Sequence, residues 1–263
     1  MAAECGRAAP ETPAWRLLPL IAVALGGGPA RAQTDEIQVY DAAIVDPGHL
    51  NLTWHDNFTP TGRTQPDYPG GVVPDHALNG VPEFAYGVTD WWELGAYVPI
   101  YTLTGDGQMQ FDGAKLRTLF VVPHAAERTF FYGLNFEFSY NRPQWEQKRY
   151  SAEIRAIAGV HLGPVDLIVN PILDTEFSGL GRLDFAPEMR VAYHVGEKLG
   201  FALENYADFG PLQRRYGDPG QSQTLFAVVD VGASSNGIEF GVGHGYTRAA
   251  DPMVLKLMIM HDF

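Results

Sequence analysis

Twelve ionisable side chains stand within segments that otherwise alternate apolar and polar residues: Glu83, Glu93, Lys115, Arg117, Glu137, Glu153, Arg155, Glu188, Arg190, Glu204, Glu239 and Lys256. In a strand that crosses a lipid layer a charge at midplane costs roughly 2–4 kcal/mol, so such groups belong on an inward face. There they can line a conduit and select what passes, or neutralise one another in a lattice that fills and stiffens a narrow barrel. Lys115 and Arg117 neighbour Glu137 on the next segment, with Glu153 and Arg155 one segment beyond, and the alternating signs suit pairing. Nucleophilic chemistry is less well supplied. Ser234-Ser235-Asn236-Gly237 offers hydroxyls, but a serine nucleophile needs a base within reach, and the position two residues before Ser235 is Ala233. The histidines (His49, His55, His76, His124, His161, His194, His244, His261) show no ligand spacing for zinc. Asp106 and Asp112 beside Gly107 and Gly113 read as turn residues, since they lack the ligand set of a calcium loop. The expected metal and cofactor content is none.

The elements that position these charges are strands. Apolar–polar alternation marks twelve segments: 50–58, 82–88, 92–102, 111–122, 129–140, 149–161, 165–177, 182–195, 199–209, 222–231, 238–246 and 253–263. A strand tilted by roughly 45° crosses the hydrocarbon with about 9–11 residues, which most of these supply. In 129–140, Phe130, Tyr132, Leu134, Phe136, Phe138 and Tyr140 share one face, while Gly133, Asn135, Glu137 and Ser139 share the other. A slip of one residue would exchange the faces, so the phase is informative. The predicted fold is an all-β, twelve-stranded, antiparallel, up-and-down transmembrane barrel.

At the ends of the apolar phase sit aromatics that would form two interfacial girdles: Phe58, Tyr140, Phe177, Phe209 and Tyr246 at one rim, and Trp92, Phe130, Tyr193 and Phe263 at the other. Connections are short at one rim, with Asn236-Gly237 read as a hairpin turn, and longer at the other. The longest, 59–81, carries four prolines and can fold into the mouth or stand exposed. Segment 33–48 contains Ile37, Val39, Ile44 and Val45, and reads either as a periplasmic strand or as an insert in the lumen.

Composition narrows the partners. Eighteen Lys and Arg against 31 Asp and Glu give a formal net charge of −13 over 263 residues, which argues against a nucleic-acid partner. Negative charge near the strand ends, at Asp166, Asp174, Glu176, Asp184, Asp208 and Asp230, favours cationic or neutral solutes over anions. Residues 1–32 read as a removable export signal: an apolar run at 17–25, a Gly26-Gly27-Gly28-Pro29 break, and an Ala30-Arg31-Ala32 cleavage box. The single cysteine, Cys5, falls inside that leader, so the exported chain is expected to lack thiol chemistry. Residues 49–263 then make the barrel.

Glu83-Phe84-Ala85-Tyr86-Gly87-Val88-Thr89-Asp90-Trp91-Trp92-Glu93-Leu94-Gly95 resembles the strand–turn–strand phrase of a family of outer-membrane barrel transporters named after the phenol-degradation (MetA) pathway. Strand rhythm and turn placement extend the resemblance over most of 33–263. It implies a Gram-negative outer-membrane barrel and passage of small hydrophobic or aromatic compounds, and it carries over no catalytic residue. The ending Leu255-x-Leu257-x-Ile259-x-His261-x-Phe263 is similar to the carboxy-terminal signal read by the barrel-assembly machinery. Ser235-Asn236-Gly237 is similar to a string used by phospholipase barrels, whose pattern also needs the histidine that Ala233 replaces. The expectation is therefore a monomeric, non-enzymatic outer-membrane channel or transporter for small neutral, aromatic or cationic molecules. Its rivals are a secreted soluble barrel that binds ligand, a structural barrel with a plugged lumen, and an outer-membrane lipid hydrolase.

Overall fold

The computed structural model describes residues 36–213, 217, 219–233 and 236–263. The expected leader 1–32 and the candidate hydroxyls Ser234 and Ser235 lie outside the described residues.

The first six strands are continuous: β1 (Leu50–Thr61), β2 (Leu78–Thr89), β3 (Trp92–Leu103), β4 (Met109–Val121), β5 (Phe130–Asn141) and β6 (Tyr150–Leu162). The next two are each interrupted. β7 consists of Val165–Asn170 and Ile172–Thr175, and β8 of Asp184–Phe185 and Glu188–His194. Pro171 and Pro187 stand at the breaks, because proline has no N–H to give to a ladder. β9 (Leu199–Asp208), β10 (Ser222–Ala233), β11 (Asn236–Gly245) and β12 (Met253–Asp262) follow. Every strand pairs antiparallel with its sequence neighbours, and β1 pairs with β12 from Asn51↔Asp262 to Thr61↔Met253, closing twelve strands into a barrel.

Strand boundaries differ from expectation in three physically understandable places. β2 begins at Leu78, so the long connection shrinks to 62–77. Pro82 and Pro99 weaken the alternation there, and the register shifts between Gly80 and Glu83 on β2 and between Tyr97 and Ile100 on β3. Ala233 already pairs with Asn236 and Gly232 with Gly237, so Asn236-Gly237 belongs to a strand rather than to the centre of the turn. The connection between β4 and β5 is long for its rim and carries a short 3-10 turn, Ala125–Glu127.

The wall is inside-out relative to a soluble barrel. Along β5 the six apolar residues Phe130 to Tyr140 are all exposed, whereas Asn135, Glu137, Ser139 and Asn141 are buried. The same holds around the ring, with Leu116 65% exposed and Lys256 completely buried. A monomeric water-soluble protein does not surround itself with a continuous apolar band, and a bilayer supplies the solvent this one needs. No helix among the described residues is long and apolar enough to cross a membrane, which bears only on helices.

Candidate functional site

Residues 36–48 run through the interior of the barrel. At the rim of short turns Pro47 bridges to Gly87, and the Gly48 N–H donates to the Gly87 carbonyl at 2.8 Å. A Cβ on Gly87 would collide with the carbonyls of Val45 and Asp46, so glycine is what allows this close crossing. Further in, the Val45 N–H donates to Glu93 Oε2 at 2.7 Å. The Tyr40 N–H donates to Asn170 Oδ1 at 2.6 Å, and Asn170 Nδ2 donates back to the Tyr40 carbonyl at 3.0 Å. Arg155 holds the Gln38 carbonyl at 2.9 Å, and Lys256 holds that of Ile37 at 3.3 Å. The segment forms no ladder with the wall beyond the bridge at Pro47; side chains from β3, β6, β7 and β12 satisfy its backbone instead.

Toward the short turns, the side of the interior formed by β4 to β7 is apolar. Val39, Tyr40 and Ala42 pack with Leu119, Val121, Val122, Ala125, Phe131, Ile157 and Ile168. The longer β4–β5 connection contributes Val122 and Ala125 to this cluster. The sequence marked charges in mid-strand and did not mark this apolar end: here both faces of β4 and β6 carry apolar residues, so alternation alone could not reveal the seal.

In the middle the charges pair in four groups. Arg117 binds Glu83 and, at 2.6 Å, Glu93, while His55 Nε2 lies 3.1 Å from Glu83. Gly95 lies directly under the Arg117 side chain, where a Cβ would meet its Nε at 2.8 Å. Arg155 binds Glu153 at 2.8 Å and Glu188 at 3.2 Å, and its guanidinium lies 4.4 Å from the Tyr40 ring centre. Arg190 binds Glu204, Asp230 and, at 3.0 Å, Glu239; Lys256 binds the same Glu204 and Glu239. Lys115 stands 3.8 Å from Glu137, whose carboxylate also accepts from Asn135 at 3.0 Å. The Tyr40 hydroxyl shares a 2.6 Å hydrogen bond with that of Tyr97. All twelve residues singled out by their phase face the interior, although Arg117 reaches back to β2 and β3 rather than across to Glu137, its register partner.

Toward the long loops the interior opens into a cavity of about 310 Å³. Glu36, Lys115, Glu137, Glu153, Arg155, Asp174 and Glu188 line it, with Arg63 and Asp251 contributed by loops. The connection 62–77 folds over part of this mouth: Tyr68 and Val72 are buried, the Tyr68 hydroxyl donates to the Pro143 carbonyl at 3.0 Å, and the Val72 N–H donates to the Gln144 carbonyl at 3.0 Å. Arg63 ties the same loop to Asp251 at 3.0 Å, and the two carboxylates around it, Asp251 and Asp67, hold its guanidinium above its ordinary pKa.

No protein-family model matches the chain, and no curated protein matches its sequence. Solved structures do match its shape. An outer membrane channel from Pseudomonas putida F1 superposes with a TM-score of 0.56 at 12% identity, over 87% of this chain and 100% of that one. The NanC porin superposes with a TM-score of 0.50 at 8% identity, over 80% of this chain and 97% of that one. The fold is that of an outer-membrane β-barrel. At such identities the likeness concerns architecture, and what passes through this barrel must be argued from its own residues.

Of the aromatics expected at the rims, Phe58, Trp92, Phe130, Tyr140 and Tyr193 lie within strands, whereas Phe177, Phe209, Tyr246 and Phe263 lie just past strand ends, Phe177 with a left-handed backbone (φ 58°). Phe130, Tyr140, Phe177, Tyr193, Tyr246 and Phe263 are exposed, and Phe58, Trp92 and Phe209 are half-buried on the same outer side. Trp91, Trp92 and Phe120 stack together at the short-turn rim, with ring centres 6.0–6.3 Å apart. Leu255, Leu257 and Ile259 alternate outward against inward Lys256 and Met258. His261 packs edge-on against Phe263 at 4.7 Å and meets Asn236 Oδ1 at 2.8 Å. The participants that alternation did not single out are Tyr40, His55, Tyr97, Asn170 and Tyr206. These are uncharged or weakly charged, and only their placement on the inward phase of a strand, or next to one, could have identified them; Glu36, Arg63 and Asp251, also missed, lie outside the strands where no phase marks them.

Proposed function

We propose that the protein is an outer-membrane channel for small neutral, aromatic or cationic molecules, closed from within by its own residues 36–48. The observation that carries this reading is the mode of attachment of that segment: hydrogen bonds from individual side chains and one apolar cluster, with no covalent bond and no strand ladder, which makes it displaceable. Beyond it lies a polar cavity that opens among the loops, a place where a solute can be received before the closure gives way. Passage rather than catalysis is the activity. The leader 1–32 directs export, the outward aromatics anchor the rims in lipid headgroups, and the ending Leu255 to Phe263 serves assembly of the monomer.

The paired charges favour a second reading, a structural barrel whose lumen never opens. Single-channel conductance of the refolded protein in a planar bilayer separates the two. The intact chain is expected to show small or rare steps, and a variant lacking residues 36–45 frequent, larger, cation-preferring ones. A deletion variant that inserts correctly, judged by heat-modifiable gel migration, yet remains silent would overturn the channel reading.

A further inference from the structure

The wall of the mouth cavity carries a row of like charges in register. Glu153 on β6 stands opposite Asp174 on β7, and Asp174 stands opposite Asp184 on β8. All three line the cavity. Like charges directly opposite one another across strands are destabilising, so such a row is not how a sheet stabilises itself. From the floor Glu36 adds a fourth carboxylate. It is 93% buried (7% exposed), it lines the same cavity, and its Oε1 has no hydrogen-bond partner among the described residues. Taking a carboxylate oxygen out of water without a partner is costly, and Glu36 stands on the lining of a cavity in which a small side-chain movement brings that oxygen to a ligand.

We propose that this cavity binds a linear organic polycation, an aliphatic chain bearing two or more ammonium groups, which spans the Glu153–Asp174–Asp184 row and reaches Glu36. A metal ion fits less well: among the described residues no three acidic or histidine side chains converge to hold one. The row instead spreads over two strand spacings, about 10 Å, which suits charges distributed along a flexible chain. The half-buried Tyr206 and Val254 on the same lining offer apolar surface to the methylenes of such a chain. The cations already there are engaged, Arg63 by Asp251, Lys115 by Glu137 and Arg155 by Glu153 and Glu188. This inference deepens the channel reading and rests on it for its biological meaning, but the site itself can be tested without any flux.

The test is titration calorimetry of the whole protein in a non-ionic detergent, with spermidine as ligand and magnesium and glucose as controls. Saturable spermidine binding is expected, at least tenfold tighter than magnesium. Glu36→Gln, which breaks no internal pair of the described oxygen, should weaken it by about tenfold, the loss of one charge-assisted contact. Asp174→Asn should weaken binding similarly while raising the midpoint of unfolding in the absence of spermidine, because it relieves the row. A purely structural role for Asp174 predicts a lower midpoint instead, and that result overturns the proposal. So does magnesium binding as tightly as spermidine, or spermidine binding unchanged in both variants. Spermidine binding by the intact protein together with a silent deletion variant would retain the site and sink the channel; a conducting deletion variant together with no spermidine binding by the intact protein would do the reverse.

Discussion

Individual side chains in the interior are held by groups whose loss has very unequal consequences. Arg117 neutralises both Glu83 and Glu93, which are 4% and 3% exposed. Arg117→Met strands two carboxylates in a poorly solvated place, and a loss of roughly 3–5 kcal/mol is expected for breaking such a buried arrangement from one side. Urea unfolding in detergent micelles measures it, and the triple variant that also carries Glu83→Gln and Glu93→Gln should recover most of the loss. Out in the loops, burial, reinforced by nearby Glu146 and Asp67, pushes the Tyr68 hydroxyl up to about 12. A folded-state value above that of the unfolded chain means that this group's contribution to stability is intact below about pH 10 and is lost as the pH rises toward 12. An ultraviolet difference titration against Tyr68→Phe should show one tyrosine ionising late, and the Phe variant should lose less stability over that alkaline window.

Among the elements, the strands were the most legible part of the sequence, and the reason is the membrane. Lipid on one side and a polar interior on the other force a strict two-residue period, so β5 could be read residue by residue, down to which of its members would be buried. Legibility fails where that physical demand is relaxed. Near Pro82 and Pro99 the ladder shifts register, and at Pro171 and Pro187 it breaks, so two strands that read as continuous are divided. At the short-turn end Leu119, Val121, Phe131 and Ile157 face an apolar plug rather than water, and inward and outward phases cease to differ. The segment 36–48 has no period at all, because its backbone is satisfied by side chains from remote strands. Its crossing at Gly87 supplies a test at this scale. Gly87→Ala should force the carbonyls of Val45 and Asp46 away, and with them the Pro47 bridge. More frequent channel opening with unchanged insertion is the expected result, read in the planar bilayer.

For the molecule as a whole, the apolar band outside and the charges inside make opposite predictions for the same substitution. Leu116 faces outward from the middle of β4 and is 65% exposed. Leu116→Arg should cost roughly 2–4 kcal/mol when the barrel folds into vesicles, the penalty of a cation at the bilayer midplane. A soluble barrel would bear the same change at little cost, so folding yield into vesicles against Leu116→Ala decides whether lipid really is the solvent of this surface.

The placement of the segment 36–48 also bears on the order in which the barrel is made. It precedes β1, the strand that closes the ring against β12, yet its backbone is held by Asn170, 130 residues away from Tyr40, and by Lys256, 219 residues away from Ile37. Contacts of such sequence separation form late, because the intervening chain must first be in place. Residues 36–48 therefore cannot settle until the final strand has arrived, and the seam between β1 and β12 encloses them as it zips. Any chain that stalls before Lys256 is positioned retains an unanchored tail where a finished one has a seated interior, a difference that tells a completed ring from an open one at the moment of closure.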